Sequence, residues 1–177
     1  FQLFAKKAQH VADLNIIAHR IAELALTPGI VAQDGFLTTH LIESMTLPER
    51  ELIKEYLGRP DDIIKTPTEA QRIIYGDTRR RIPELWDVDN PVMAGIVQNQ
   101  DSYMQSVAAQ RPFFFDHIRQ LTEQAMDEYY QLTGRRYERV MTYKVEDADY
   151  LILGQGSVVP SAEVVADYLR ETRGLKV

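Results

Sequence analysis

Strands, helices and turns alternate at both ends of this 177-residue sequence in the manner of an α/β protein. The pattern predicts parts of two doubly wound parallel-sheet domains joined by a long, partly helical connection. Three observations carry that prediction. Near the start, an apolar helical stripe runs into a Pro-Gly stop and a short β-branched run. Near the end, an apolar run, a Gly-rich turn and a second stripe follow one another. Between them, a stretch interrupted by Pro48, Pro60, Pro67, Pro83 and Pro91 keeps many large apolar side chains.

Phe1 to Phe4 suits a first strand. Val11, Leu14, Ala18, Ile21, Ala22 and Ala25 then fall on one helical face, with His10, Asp13, Arg20 and Glu23 opposite or at its margins. Thr27-Pro28-Gly29 stops that helix, and Ile30-Val31-Ala32 reads as a buried strand ended by Gln33-Asp34-Gly35. From Thr46 to Asn99 no strand alternation is evident, and short helices fit between the prolines. Thr66 is the expected cap of one of them, with Pro67 in its first turn and Glu69 completing a capping box. Ile63, Ile64, Ile73, Ile74, Tyr75, Leu85 and Trp86 make this stretch an ordered connection rather than a free linker.

A long helix is expected from near Pro112 to Gly134, burying Ile118, Leu121, Ala125, Tyr129 and Leu132. Tyr150-Leu151-Ile152-Leu153 then reads as a strand and Gly154-Gln155-Gly156-Ser157 as a sharp turn. A helix with Ala162, Val165, Ala166 and Leu169 inward follows, and an incipient strand at Gly174 to Val177. Both termini read as cut, since an unfinished parallel sheet would expose its ladder groups.

Composition narrows the function classes. A formal charge of −6, with only the short basic clusters Arg79-Arg80-Arg81 and Arg135-Arg136, argues against nucleic-acid binding; those arginines are expected to be solvated or salt-bridged. No apolar run approaches the roughly 20 residues of a membrane-spanning helix. Cysteine is absent, which removes thiolate nucleophiles and iron–sulfur ligands from this stretch.

The Gly154–Ser157 turn offers backbone N–H groups to a phosphate, yet Val159 stands where a dinucleotide fingerprint needs its third glycine. Sharp strand-to-helix geometry by itself demands such a turn. Asp34, Thr38, Thr39 and His40 form the best polar cluster, placed where α/β proteins present ligands at strand ends; a hydrogen-bonded loop is the alternative. His10, His19, His40 and His117 lack metal-site spacings, and Ser44, Ser102, Ser106 and Ser157 lack a nucleophile elbow. The acid pairs Asp61-Asp62, Asp87-Asp89 and Glu146-Asp147 read as turn or cap residues. Phe113-Phe114-Phe115 is expected to anchor the connection on a neighbouring domain, with partner docking as the sharper alternative.

Three blocks, in order, resemble one family. Asp34-Gly35-Phe36-Leu37-Thr38-Thr39-His40 is similar to the Asp-Gly-Phe-Arg-Thr-Ser-His element of pyruvate:ferredoxin oxidoreductases and related 2-oxoacid:acceptor oxidoreductases. Gln98-Asn99-Gln100-Asp101-Ser102-Tyr103-Met104-Gln105 resembles that family's Gln-Asn-Pro-Asp linker motif. Leu132 to Tyr137, Asp147 to Tyr150 and the Gly-rich turn resemble its approach to the second domain.

The resemblance implies a thiamine-diphosphate-dependent enzyme that decarboxylates pyruvate or a related 2-oxoacid oxidatively, to acyl-CoA and CO2. Mg2+, [4Fe–4S] clusters and coenzyme A take part, ferredoxin or flavodoxin accepts the electrons, and the enzyme is a cytoplasmic homodimer without nucleic-acid or membrane partners. Residues 1–47 would end the pyrimidine-type thiamine domain, 48–137 would be the connection, and 138–177 would begin a domain like the carboxy-terminal one of transketolase. No catalytic, cofactor-binding or metal residue carries over to this stretch, which is therefore expected to be scaffold and inactive alone. Leu37, Thr39 and Leu41 replace the usual Arg, Ser and Glu and point to a divergent subgroup. A stand-alone phosphate-ligand or interaction module using Gly154–Ser157 is the alternative. A transketolase-like enzyme without electron transfer is a third reading.

Overall fold

The computed structural model describes residues 1–84, 88 and 97–177, and only the backbone of Phe113. Leu85, Trp86, Asp87, Asp89 and Pro91 of the connection therefore lie outside the described residues.

The chain opens as a βαβ unit. Strand β1 (Gln2–Phe4), helix α1 (Ala8–Ala25) and strand β2 (Ile30–Ala32) follow the predicted order, and the strands pair in parallel with Leu3 opposite Val31. Leu26 ends α1 in the left-handed conformation, ahead of the Thr27-Pro28-Gly29 stop. Leu14, Ile17 and Ile21 of α1 form the core with Tyr56 of α2 (Arg50–Leu57) and with Ala125, Met126 and Tyr129 of α5 (Ile118–Thr133). Burying each large side chain contributes roughly 1.5–3 kcal/mol. Leu3 and Val31 pack on the same cluster from the strands. The α5 face follows the predicted spacing, and Gly134 ends it with φ 70°, the left-handed geometry expected of that glycine.

The polar side of α1 departs from expectation. His10 and Asp13 are buried rather than solvent-facing, because Tyr129 and Tyr137 close over them. The Asp13 carboxylate is fully buried and accepts from Tyr129 Oη (2.7 Å), Tyr137 Oη (2.6 Å), Arg135 Nε (2.6 Å) and Gln9 Nε2 (3.1 Å). Burial alone would raise its pKa. The hydrogen bonds from Arg135, Tyr137 and Tyr129, with the Arg135 charge, outweigh that and hold the carboxyl below its ordinary range. Arg135 is thus salt-bridged as expected, and Arg136 pairs with Glu138 at 2.7 Å.

Both ends of α1 are held by chain that follows β2. Glu43 Oε2 accepts from the Ala8 N–H (2.7 Å), and the Gln9 amide exchanges two hydrogen bonds with the Thr46 backbone. At the other end, Arg79 donates to the carbonyls of Glu23 (2.8 Å) and Leu24 (3.3 Å), while Gln71 Nε2 donates to Leu24 O (2.9 Å). These carbonyls belong to the last turn, whose acceptors a helix leaves free. Arg79 is therefore a buried cap, correcting the expectation of a solvated or salt-bridged cluster. Arg81 is buried as well, and only Arg80 makes a surface pair, with Glu84.

The connection also contains strands, contrary to expectation. β3 (Ile63–Lys65) and β4 (Thr78–Arg80) pair antiparallel around α3 (Glu69–Tyr75). Three-residue strands are too short to carry an alternation signal. The α3 cap lies two residues later than expected. Thr68 Oγ1 accepts from Gln71 N–H (3.3 Å), while the Thr66 hydroxyl donates to Gly76 O across the strand pair (2.7 Å). Of the connection's isoleucines, Ile64 packs on Leu24, Ala25 and Leu121, whereas Ile63, Ile73 and Ile74 are exposed.

Helix α4 (Gln100–Gln110) begins well before Pro112, which falls in a π-helical turn, Arg111–Phe115, ahead of α5. Phe114 of that turn lines a small hollow with Ala70, Ile73 and Ile74, and Phe115 is exposed. Asp62 accepts from Arg59 N–H (2.7 Å) as a turn acid, and Asp147 pairs with Arg170 (2.9 Å).

The predicted final helix is α6 (Val158–Arg173). Tyr150–Leu153 joins no ladder and is exposed. The N–H groups of Asp149 and Tyr150 both meet Lys176 O, at 2.8 and 3.1 Å. That contact is the only trace of the expected pairing with Gly174 to Val177; a strand needs a neighbour along its length, and none lies beside it among the described residues.

Three outcomes follow. Asp13→Ala leaves the partly buried Arg135 guanidinium and two buried hydroxyls without their acceptor and should cost about 2–4 kcal/mol in denaturant melts, against about 1 kcal/mol for Tyr137→Phe. Burial, then the Lys7 and Lys6 charges, outweigh Asp13 and Glu163 and lower the His10 pKa to about 4. Its neutral form is favoured in the fold, so its stabilisation is whole above the ordinary value of 6.5 and declines as pH falls from there toward about 4. The slope should reach about 1.4 kcal/mol per pH unit and flatten in His10→Gln, as urea melts between those limits would measure. Arg79→Met should cost about 2–4 kcal/mol by orphaning the Glu23 and Leu24 carbonyls, and Arg79→Lys should recover little because it lacks the planar fork.

Candidate functional site

Parallel strands β1 and β2 end at one edge, and Lys6 and Asp34 each lie two residues beyond their last register pair, Phe4 and Ala32. Beyond Asp34 the chain turns tightly. Leu37 N–H meets Gly35 O (2.6 Å), His40 N–H meets Phe36 O (3.0 Å), and Phe36 takes φ 55°. The Thr39 hydroxyl accepts from Phe36 N–H (3.0 Å) and lies 2.7 Å from His40 Nδ1. The His40 ring stacks on Phe36, 4.8 Å between centroids. Thr38 is buried, and its hydroxyl has no hydrogen-bond partner among the described residues.

The four residues of the predicted cluster therefore do not converge. Thr39 and His40 satisfy each other, Thr38 faces inward, and Asp34 leaves the loop altogether. Its carboxylate accepts the Ser157 N–H at the start of α6. Gly156 precedes that N–H with φ 74°, and a Cβ there would collide with the Asp34 carboxylate. The backbone and side-chain hydrogen bonds from Ser157 hold the Asp34 carboxyl below its ordinary range. The two most tempting motifs of the sequence thus meet, and one occupies the other. A helix N-terminus attracts an anion, and here the chain supplies its own.

Lys6 Nζ completes the edge by pairing with Glu163 Oε1 of α6 at 2.6 Å. Sequence reasoning missed Lys6, Glu163, Asp13 and Arg79. Their partners are 157, 122 and 55 or more residues away, beyond the reach of any local pattern. The one available signal was Arg135 set between Tyr130 and Tyr137, which names no partner and gives no distance.

A cavity of about 290 Å3 lies at the far end of α1, lined by His19, Leu26, Arg81 and Ile82 among others. Glu23 also lines it, and Glu23 Oε2 and Arg81 Nε and Nη1 are buried without partners among the described residues. Burial raises the Glu23 carboxyl and lowers the Arg81 guanidinium. Ser102 donates to Asn99 O and Ser106 accepts from Gln98, so neither has the base a nucleophile needs. Among the described residues, no three His, Cys, Asp or Glu side chains are grouped to hold a metal, and no helix is long and apolar enough to cross a membrane.

Residues 1–127 match the family described as pyruvate flavodoxin/ferredoxin oxidoreductase, thiamine diphosphate-binding. The chain is 29% identical over 178 residues to the pyruvate synthase subunit PorA of Pyrococcus furiosus, covering 99% of this chain and 40% of that protein. The PorA subunit of Thermotoga maritima is 28% identical over 178 residues, with the same shares covered. The pyruvate-flavodoxin oxidoreductase of Enterobacter agglomerans is 30% identical over 175 residues, 99% of this chain but 13% of that protein. The chain thus spans less than half the length of these relatives. With the family match covering most of its residues and the relatives aligned nearly end to end, the chain belongs to the pyruvate flavodoxin/ferredoxin oxidoreductase family.

Proposed function

We propose that this chain is a scaffold segment of a thiamine-diphosphate-dependent enzyme converting pyruvate or a related 2-oxoacid, with coenzyme A, to acyl-CoA and CO2. Ferredoxin or flavodoxin takes the electrons. The observation that carries the scaffold role is the commitment of the strand-end residues: Asp34 is bonded to Ser157, and Thr39 to His40 and Phe36. Thr38 keeps an unpartnered hydroxyl but faces inward, so among the described residues the cluster offers a diphosphate no free polar group at its surface. The chain has no cysteine for a cluster. Its own residues therefore do not fit thiamine diphosphate with Mg2+, nor [4Fe–4S] clusters. On this reading other parts of the parent hold those groups, coenzyme A included.

The proposed division keeps residues 1–47 as the end of the pyrimidine-type domain, 48–137 as the connection and 138–177 as the start of the transketolase-like domain. Family membership and the relatives' greater length support remaining domains or subunits as partners. The parent is read as a cytoplasmic homodimer. The alternative of a phosphate-binding module at Gly154–Ser157 is the less favoured reading, because one of the N–H groups of that turn, that of Ser157, already has a carboxylate on it.

The test uses the full native polypeptide with its companion subunits, assayed for pyruvate- and coenzyme-A-dependent reduction of ferredoxin or a viologen dye. His40→Ala and Thr39→Ala should each keep kcat/KM within about threefold, whereas omitting thiamine diphosphate should abolish turnover. A loss beyond about a hundredfold in His40→Ala, with the fold intact, would make that residue catalytic and end the scaffold reading. Absence of 2-oxoacid turnover in the wild type would end the functional one.

A further inference from the structure

We infer that Asp34 and Lys6 form a two-point latch that fixes α6 on the carboxyl edge of the β1–β2 pair. The inference goes beyond the oxidoreductase reading and holds whatever the parent enzyme turns over. Phe4 and Ala32 are register partners on the parallel strands. Lys6 and Asp34 each lie two residues past that pair, on strands about 4.8 Å apart, so they leave the sheet together. They grip α6 at separate places: Asp34 on the Ser157 N–H and Lys6 on Glu163. Six residues along a helix is about 9 Å, enough for the second contact to stop rotation about the first.

The charges are complementary throughout. A carboxylate faces the positive end of the α6 dipole, and an ammonium faces a carboxylate further along. The Lys6 and Glu163 side chains are only 18% and 29% exposed, which shields the pair from the screening that weakens surface ion pairs. The turn is also shaped around its partner, since Gly156 is both left-handed and pressed against the Asp34 carboxylate.

Apolar burial does not do this job. In α6 only Ala166 is buried, while Val158, Val164, Val165 and Tyr168 are exposed. Asp167 and Arg170 tie the carboxyl-terminal half of the helix to Tyr143, Lys144 and Asp147, so the Asp34 and Lys6 contacts decide where its amino-terminal half sits on the strand ends. The acid of the Asp-Gly-Phe element is thus a positioning residue between two segments of the chain.

Hydrogen–deuterium exchange of the full native polypeptide, followed by mass spectrometry, tests the latch. Asp34→Asn, Lys6→Glu and Glu163→Lys should each speed exchange across residues 157–164 at least about tenfold, with the α1 peptide unchanged. The Lys6→Glu/Glu163→Lys double variant should return to within about twofold of wild type. Ser157→Pro removes both the N–H and the hydroxyl that reach Asp34, and the φ of −71° at this position already suits proline. It should expose residues 158–164 equally, and it replaces Asp34→Asn should that variant fail to fold. Single variants within about twofold of wild type, or a charge-swapped pair no better protected than its singles, would overturn the latch.

Discussion

A carboxylate with no access to water is tolerable only when every lone pair is answered, and Asp13 meets that condition by drawing three distant side chains onto one atom group. Tyr129 comes from α5 and Arg135 and Tyr137 from the chain just beyond it, so the acid sets how α5 lies across α1. The rings that deliver the hydroxyls pack in turn, Tyr129 edge-on to Tyr56 and Tyr137 edge-on to His10, each pair 5.2 Å apart. Polar satisfaction and aromatic packing are here one arrangement, and loss of either exposes the other.

From that centre the connection works outward as a clamp. Glu43, just ahead of it, answers the Ala8 N–H of α1, and the connection answers the free carbonyls through Arg79 and Gln71. A helix whose ends are held by chain that returns from elsewhere has little freedom to shift against the strands. The two parallel strands then present a defined edge, and α6 is set upon it. The order is hierarchical: core acid, capped helix, aligned strand ends, seated helix.

The family relationship gives this hierarchy a setting. Broad apolar surfaces remain exposed, from Phe36 to Leu47 and from Tyr150 to Leu153. Exposure on that scale suits a segment meant to lie among other parts of a larger enzyme, which accords with relatives more than twice its length. The loop most suggestive of chemistry is occupied with its own hydrogen bonds.

Periodicity and stop signals were enough to place β1, α1, β2, α5 and α6, because apolar spacing, a Pro-Gly break and terminal glycines act within a few residues of where they are read. The α/β class and the family blocks were legible for the same reason. The strands β3 and β4 escaped notice because three residues cannot display a period. Tyr150–Leu153 was taken for a strand because apolarity is a property of the segment, whereas pairing belongs to its neighbour. Tertiary structure alone decided the roles of Asp13, Arg79 and Asp34. Each is an ordinary polar residue until folding brings a partner from more than fifty positions away, and burial then turns an optional contact into an obligatory one.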